Sequence, residues 1–165
     1  MLSNTCAGCH GTLGASAGGP MPIIGGLSDS YLNKSLSEFK SGKRSSTIMA
    51  RIAKGYSDLE LKAISSFFAQ QEWVPSTAKT NVALARKGHK IHTEQCATCH
   101  TDNGRGGAGE TPRLAGQWPD YLQIRLSDLR DAGGGMPQPM AMRVLCESLS
   151  DADIEALSRF YASQN

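Results

Sequence analysis

Two five-residue stretches hold most of the reactive side chains of this 165-residue chain: Cys6-Ala7-Gly8-Cys9-His10 and Cys96-Ala97-Thr98-Cys99-His100. Three chemistries use cysteines at this spacing. Two C-x-x-C pairs can hold one zinc through four thiolates. Such pairs usually lie closer in sequence, and zinc leaves both histidines without a role. A redox dithiol expects a βαβ neighbourhood, and the chain has no credible strand. Covalent haem attachment accounts for every residue. Two thiols separated by a helical turn reach the two haem vinyl groups as thioethers, and the adjacent histidine supplies the proximal iron nitrogen. Cys6, Cys9, Cys96 and Cys99 are therefore expected to carry two covalently bound haem c groups, with His10 and His100 on their irons.

The two motifs belong to a longer repeat. At an offset of 90 residues, Cys6, Cys9 and His10 fall on Cys96, Cys99 and His100. Pro22 falls on Pro112, Gly26 on Gly116, Tyr31-Leu32 on Tyr121-Leu122 and Leu36 on Leu126. Three extra residues enter the second half near Gly133-Gly134-Gly135, and the offset becomes 93. Met49 then falls on Met142, Ser57-Asp58 on Ser150-Asp151, and Phe67-Phe68-Ala69 on Phe160-Tyr161-Ala162.

That register selects the sixth iron ligands. Methionine is a usual partner of histidine in cytochromes c. Of Met1, Met21, Met49, Met136, Met140 and Met142, only Met49 and Met142 coincide in the repeat. Methionines more often fill cores, but the matched positions favour ligation. Met140, flanked by Pro137 and Pro139, is the rival for the second haem. His89 and His92 read as surface or haem-edge residues. Cys146, aligned with Ala53, reads as a buried and inert thiol. Trp73, Trp118, Tyr31 and Tyr121 are core or haem-packing groups whose polar tips could meet haem propionates.

Helices must position these residues. Helices are expected near 29–41, ending at Gly42, near 119–131, and near 80–97, leading into the second motif. Ser57 with Glu60, and Ser150 with Asp153, mark the starts of two further helices by capping boxes. Leu61, Ile64 and Phe68, and Ile154, Leu157 and Tyr161, follow at helical spacing. The polar, proline-containing stretch 73–79 reads as a linker between an N-terminal unit, 1–72, and a C-terminal unit, 80–165. Units of that size have thin cores and usually need a staple or cofactor. The net charge of +2 points neither to nucleic acid nor to a basic membrane anchor. There is no apolar run long enough for a spanning helix. No signal peptide is visible before Cys6, so a mature or trimmed form is expected.

These residues carry a resemblance. The pattern resembles the class I diheme cytochromes c of the c-four type, through the stretches CHGTLGASAGGPMPIIGG and PRLAGQWPDYL. The stretch FKSGKRSSTIMARIAKGYSD, 39–58, looks like the diheme cytochrome subunit of flavocytochrome c sulfide dehydrogenase. The resemblance implies an all-α fold of two tandem class I cytochrome c domains about a pseudo-twofold axis, with His/Met ligation. It also implies an FAD-containing sulfide dehydrogenase subunit as electron donor, a soluble acceptor such as a small cytochrome c, and a periplasmic location. With both axial positions filled, each iron changes charge without binding substrate, so no catalytic residue is expected and the chain is not an enzyme by itself. The alternatives are a stand-alone diheme cytochrome donating to a terminal oxidase and a haem enzyme with one open iron position.

The halves also differ in charge. Residues 34–62 hold seven basic and three acidic residues, a balance of +4; residues 124–155 hold three basic and six acidic, a balance of −3. Ordinary solvated surface accounts for this difference; the alternative is that the two haem faces meet different partners by charge complementarity, with Lys43 and Arg44 on the docking face of the N-terminal half.

Overall fold

The computed structural model describes residues 2–107, 109–131 and 140–164. Among these residues there are helices and loops and no strand. The N-terminal half holds α1 (Asn4–His10), α2 (Asp29–Ser41), α3 (Met49–Ala53) and α4 (Asp58–Ala69). The C-terminal half holds α5 (Val82–Ile91), which runs into a π-helical turn (His92–Cys96). It continues with α6 (Thr101–Gly104), α7 (Pro119–Asp131), α8 (Met140–Glu147) and α9 (Asp151–Ala162). The glycine-rich insertion near 133–135, with Met136, Pro137 and Pro139, lies outside the described residues.

Local chemistry sets the helix ends. The Ser28 hydroxyl accepts from the Tyr31 N–H at the start of α2, and Gly42 closes that helix at φ 76°. Both capping boxes are complete. The Ser57 and Glu60 side chains each accept the other's backbone N–H, and Ser150 and Asp153 do the same. The Asn81 side chain accepts from the Leu84 N–H and starts α5.

Each half packs its own core. Leu27, Leu32, Ile64 and Phe68 form the N-terminal cluster. Leu122, Leu126, Leu129, Cys146, Leu149, Ile154, Leu157, Phe160 and Tyr161 form the larger C-terminal one. The register seen in sequence recurs as backbone hydrogen bonds. The Gly14 carbonyl accepts from Ile24 and Gly25, and that of Gly104 accepts from Leu114 and Ala115. Gly26 N–H donates to Phe68 O (2.9 Å), and Gly116 N–H to Tyr161 O (2.8 Å). Gly14 and Gly104 have φ of 82° and 86°, in the left-handed region where a Cβ is disfavoured.

The halves are joined by buried polar contacts. The Gln117 side chain accepts from Ile23 N–H and donates to Ile23 O, both at 2.9 Å. The Trp118 indole donates to Ser16 O (3.1 Å). The segment between α4 and α5 lies along this seam. Ser76 N–H donates to Gly116 O (2.7 Å), and Trp73 and Pro75 lie against Gly116.

Two candidate haem sites

In the N-terminal site, α1 carries Cys6, Cys9 and His10 within two turns. Neither cysteine is in a disulfide. His10 is buried, and its Nδ1 donates to the Pro22 carbonyl at 2.8 Å. With its proton on Nδ1, the ring keeps an unprotonated Nε2, the nitrogen a metal needs. Burial pulls the His10 pKa below the usual imidazole value, with the Pro22 bond opposing it. Burial also raises the Cys6 thiol.

The C-terminal site repeats this with one change of backbone. The π-helical turn delivers Cys96, and Cys99 and buried His100 follow. His100 Nδ1 is buried, and the Pro112 carbonyl, the mate of Pro22, acts on the ring without completing a hydrogen bond. Burial again lowers the imidazole pKa. His89 is exposed, but His92 is buried against Phe160 and Tyr161, so the surface reading of His92 is corrected. It sits on the inner face of the turn that leads into the motif. Cys146 is buried as expected, its thiol pushed up to about 11 by burial.

Met49 opens α3, and Met142 lies in the first turn of α8. Both are partly buried, and Met142 packs against the C-terminal core. Each helix stands between the long α2 or α7 and the capped α4 or α9. The side chain of Met140 lies outside the described residues.

A group that sequence reasoning misplaced lies at the domain seam. Arg44 is only 6% exposed, so it is no part of a docking face. Its guanidinium donates to Ser35 Oγ (2.8 Å) and to the Tyr121 hydroxyl (3.4 Å), and stacks over Phe39. The Arg44 charge also acts on Tyr31, and Arg125 acts on both tyrosines from the other half. Among the described residues Arg44 meets no carboxylate within ion-pair distance. Its run of basic and serine neighbours reads as solvated surface, and its bonds to Ser35 and, across the seam, to Tyr121 hold it inward. Nearby, the Trp73 indole N–H is buried without a partner, and Arg113 lies over its ring. Trp118 is already committed to Ser16.

These side chains fit haem c. Four thiols outside disulfides suit four vinyl carbons, two buried imidazoles follow the thiols with His10 keeping Nε2 for iron, and a buried guanidinium among hydroxyls suits the propionates.

A model of the cytochrome c family matches residues 1–71 and 85–164, and the chain belongs to that family. It is a diheme c-type cytochrome, an electron-transfer protein with two covalently bound haem c groups. Its backbone superposes on reduced recombinant cytochrome c4 from Pseudomonas stutzeri with a TM-score of 0.86 at 30% identity, covering 98% of this chain and 94% of that one. It is 30% identical over 169 residues to a thiosulfate dehydrogenase electron acceptor of Stutzerimonas stutzeri (strain A1501), spanning 96% of this chain and 78% of the relative. A shorter match of 68 residues reaches 47% identity with the cytochrome subunit of sulfide dehydrogenase of Chlorobaculum tepidum, spanning 41% of this chain and 61% of that subunit. No helix among the described residues is long and apolar enough to cross a membrane.

Proposed function

We propose that this chain is the cytochrome subunit that accepts electrons from an FAD-containing sulfide dehydrogenase subunit and passes them to a soluble periplasmic carrier such as a small cytochrome c. The 47% identity to a sulfide dehydrogenase cytochrome subunit carries this reading. The two units are taken as 1–72 and 80–165, joined by 73–79. Cys6 and Cys9 hold the first haem, with His10 and Met49 on its iron. Cys96 and Cys99 hold the second, with His100 and Met142 on its iron.

Each haem, when bound, supplies a one-electron Fe(III)/Fe(II) couple. The residues around it keep that couple outer-sphere. Pro22 orients His10, so its Nε2 stays directed and unprotonated. Met49 and Met142 would each offer the iron a weakly donating thioether, which favours the ferrous state. Arg44, Tyr31 and Tyr121 offer buried donors to carboxylates at the seam.

The full-length thiosulfate dehydrogenase match supports a second reading, an electron acceptor for that enzyme. Donation to a terminal oxidase by a free cytochrome is the third. Affinity purification from the native host, followed by sulfide- and thiosulfate-dependent haem reduction, separates them. A copurifying flavoprotein that reduces both haems with sulfide is the expected result. Reduction only by a thiosulfate-oxidising partner would overturn the sulfide reading.

A further inference from the structure

Burying an ionised side chain is costly unless an opposite charge is buried with it. Arg44 is 6% exposed, and among the described residues it meets no carboxylate within ion-pair distance. Its partners are neutral. The guanidinium donates to Ser35 Oγ at 2.8 Å in its own half and to the Tyr121 hydroxyl at 3.4 Å in the other, and lies 4.6 Å over the Phe39 ring. Helix α2, which carries Ser35, is tied to the C-terminal half by further contacts. The Ser28 and Ser30 hydroxyls donate to Gly109 O, both at 3.2 Å, and Lys34 pairs with Glu110.

This cation is shared by the halves and is not repeated in them. At offsets of 90 and 93 the mates of Arg44 are Gly134 and Pro137, neither of them basic. Tyr31 and Tyr121, by contrast, are mates. Tyr31 packs against the N-terminal core, as Cys6 does, and Tyr121 packs against the C-terminal core, as Cys96 and Met142 do. The Arg44 charge acts on both tyrosines. Arg125 of the C-terminal half acts on them too, but Asp128 acts on Arg125 in turn. Arg44 thus stands between the two haem-bearing clusters with hydroxyls and a ring around it. A haem gains one negative charge on reduction. A fixed cation away from water favours that change at every iron near it, because little solvent screens its field.

We propose that Arg44 is a tuning residue shared by the two haems, one buried cation that raises both reduction potentials together. The proposal rests on haem attachment at both motifs and is independent of which enzyme donates the electrons. Arg44 acts through its charge and is no iron ligand.

The test uses the holoprotein as Arg44→Gln, which keeps a donor for Tyr121 and removes the charge, and as Arg44→Lys, which keeps the charge and loses the planar fork. Both midpoint potentials are followed by redox titration at low and high salt, with haem-methyl NMR signals assigned to each domain. Mass spectrometry checks haem on the 6–10 and 96–100 peptides, and the ferric methionine-to-iron charge-transfer bands check ligation. In Arg44→Gln both midpoints fall, each by the equivalent of an about three- to tenfold shift toward the ferric haem, the size expected of one unit charge at the effective dielectric of a protein interior. Arg44→Lys recovers most of both shifts. High salt leaves the fall in place, because a buried charge is screened less than an exposed one. A fall at one haem alone overturns the sharing. Unmoved midpoints, or an equal displacement by both variants, overturn the role of the charge and leave Arg44 a strut of the seam. Loss of a charge-transfer band in both variants assigns Arg44 to holding a ligand loop and overturns the proposal as well. Haem on only one of the two peptides overturns it by another route, because the attachment on which it rests is then wrong.

Discussion

A histidine that spends Nδ1 on a backbone carbonyl has one nitrogen left to give, and His10 is held in that state by Pro22. Burial also lowers the pKa of His10 and His100, so folding favours their neutral form. For a lowered folded pKa, that contribution is present above the unfolded imidazole pKa, about 6.5, and is lost as pH falls through the folded value. The opposite ligands are the testable point at this scale. Met49→Ala should abolish the ferric methionine-to-iron charge-transfer band of one haem, and Met142→Ala that of the other, each leaving its neighbour's band intact. A high-spin ferric haem in the unaltered protein would refute His/Met ligation of both. The motif residues were legible in the sequence because the chemistry needs them contiguous. Arg44 and His92 were not, because burial of a polar side chain depends on which distant residues surround it.

At the scale of elements, the crossing of α5 over α9 positions the second motif. Gly88 makes the crossing close: a Cβ there would lie 2.7 Å from Phe160 Cβ and nearer still to the Ala156 carbonyl oxygen. Gly8, inside the first motif, has open space at the same point. Gly88→Ala should therefore destabilise the holoprotein by about 1–3 kcal/mol, the usual cost of overpacking. Gly8→Ala should be neutral or slightly stabilising. Thermal melts of both variants check this, and equal melting temperatures would mean the helices can separate at no cost. The helices 29–41 and 119–131 and both capping boxes were readable, because caps and periodicity are local. The π-helical turn was not. Its extra residue per turn leaves the helical composition unchanged, and only the i→i+5 bond from Ala97 N–H to His92 O shows it.

At the scale of the molecule, the halves present different charge. Of the seven basic residues between 34 and 62, Arg44 is buried, Lys34 pairs with Glu110 across the seam, and Lys40 pairs with Asp58. Lys43, Arg51, Lys54 and Lys62 remain exposed and form no ion pair among the described residues, with exposed Ile48 beside Met49. In the C-terminal half, Arg130 is held by Asp131 and Asp151, and Arg143 by Glu147. The positive patch suits an acidic redox partner docking on the N-terminal half. Reversing Lys43, Arg51 and Lys54 to glutamate should slow electron transfer with that partner about tenfold or more at low salt, within the range of electrostatic steering. The effect should shrink as ionic strength rises, because screening shortens the reach of exposed charges. Stopped-flow rates across a salt series check this, and unchanged rates with donor and acceptor alike would rule the patch out as a docking face.

The sequence by itself determined the cofactor class, the duplication and the helical frame. Thioether attachment, repeat register and helix caps are all written in neighbouring residues or in spacing. The tertiary structure alone decided what faces what. Gln117 closes on Ile23 from 94 residues away, and Arg44 turns from surface to seam. His92 turns inward from the turn before the second motif and meets the Tyr161 hydroxyl. Each depends on free energy that appears only when distant groups leave water together, and no local pattern records it.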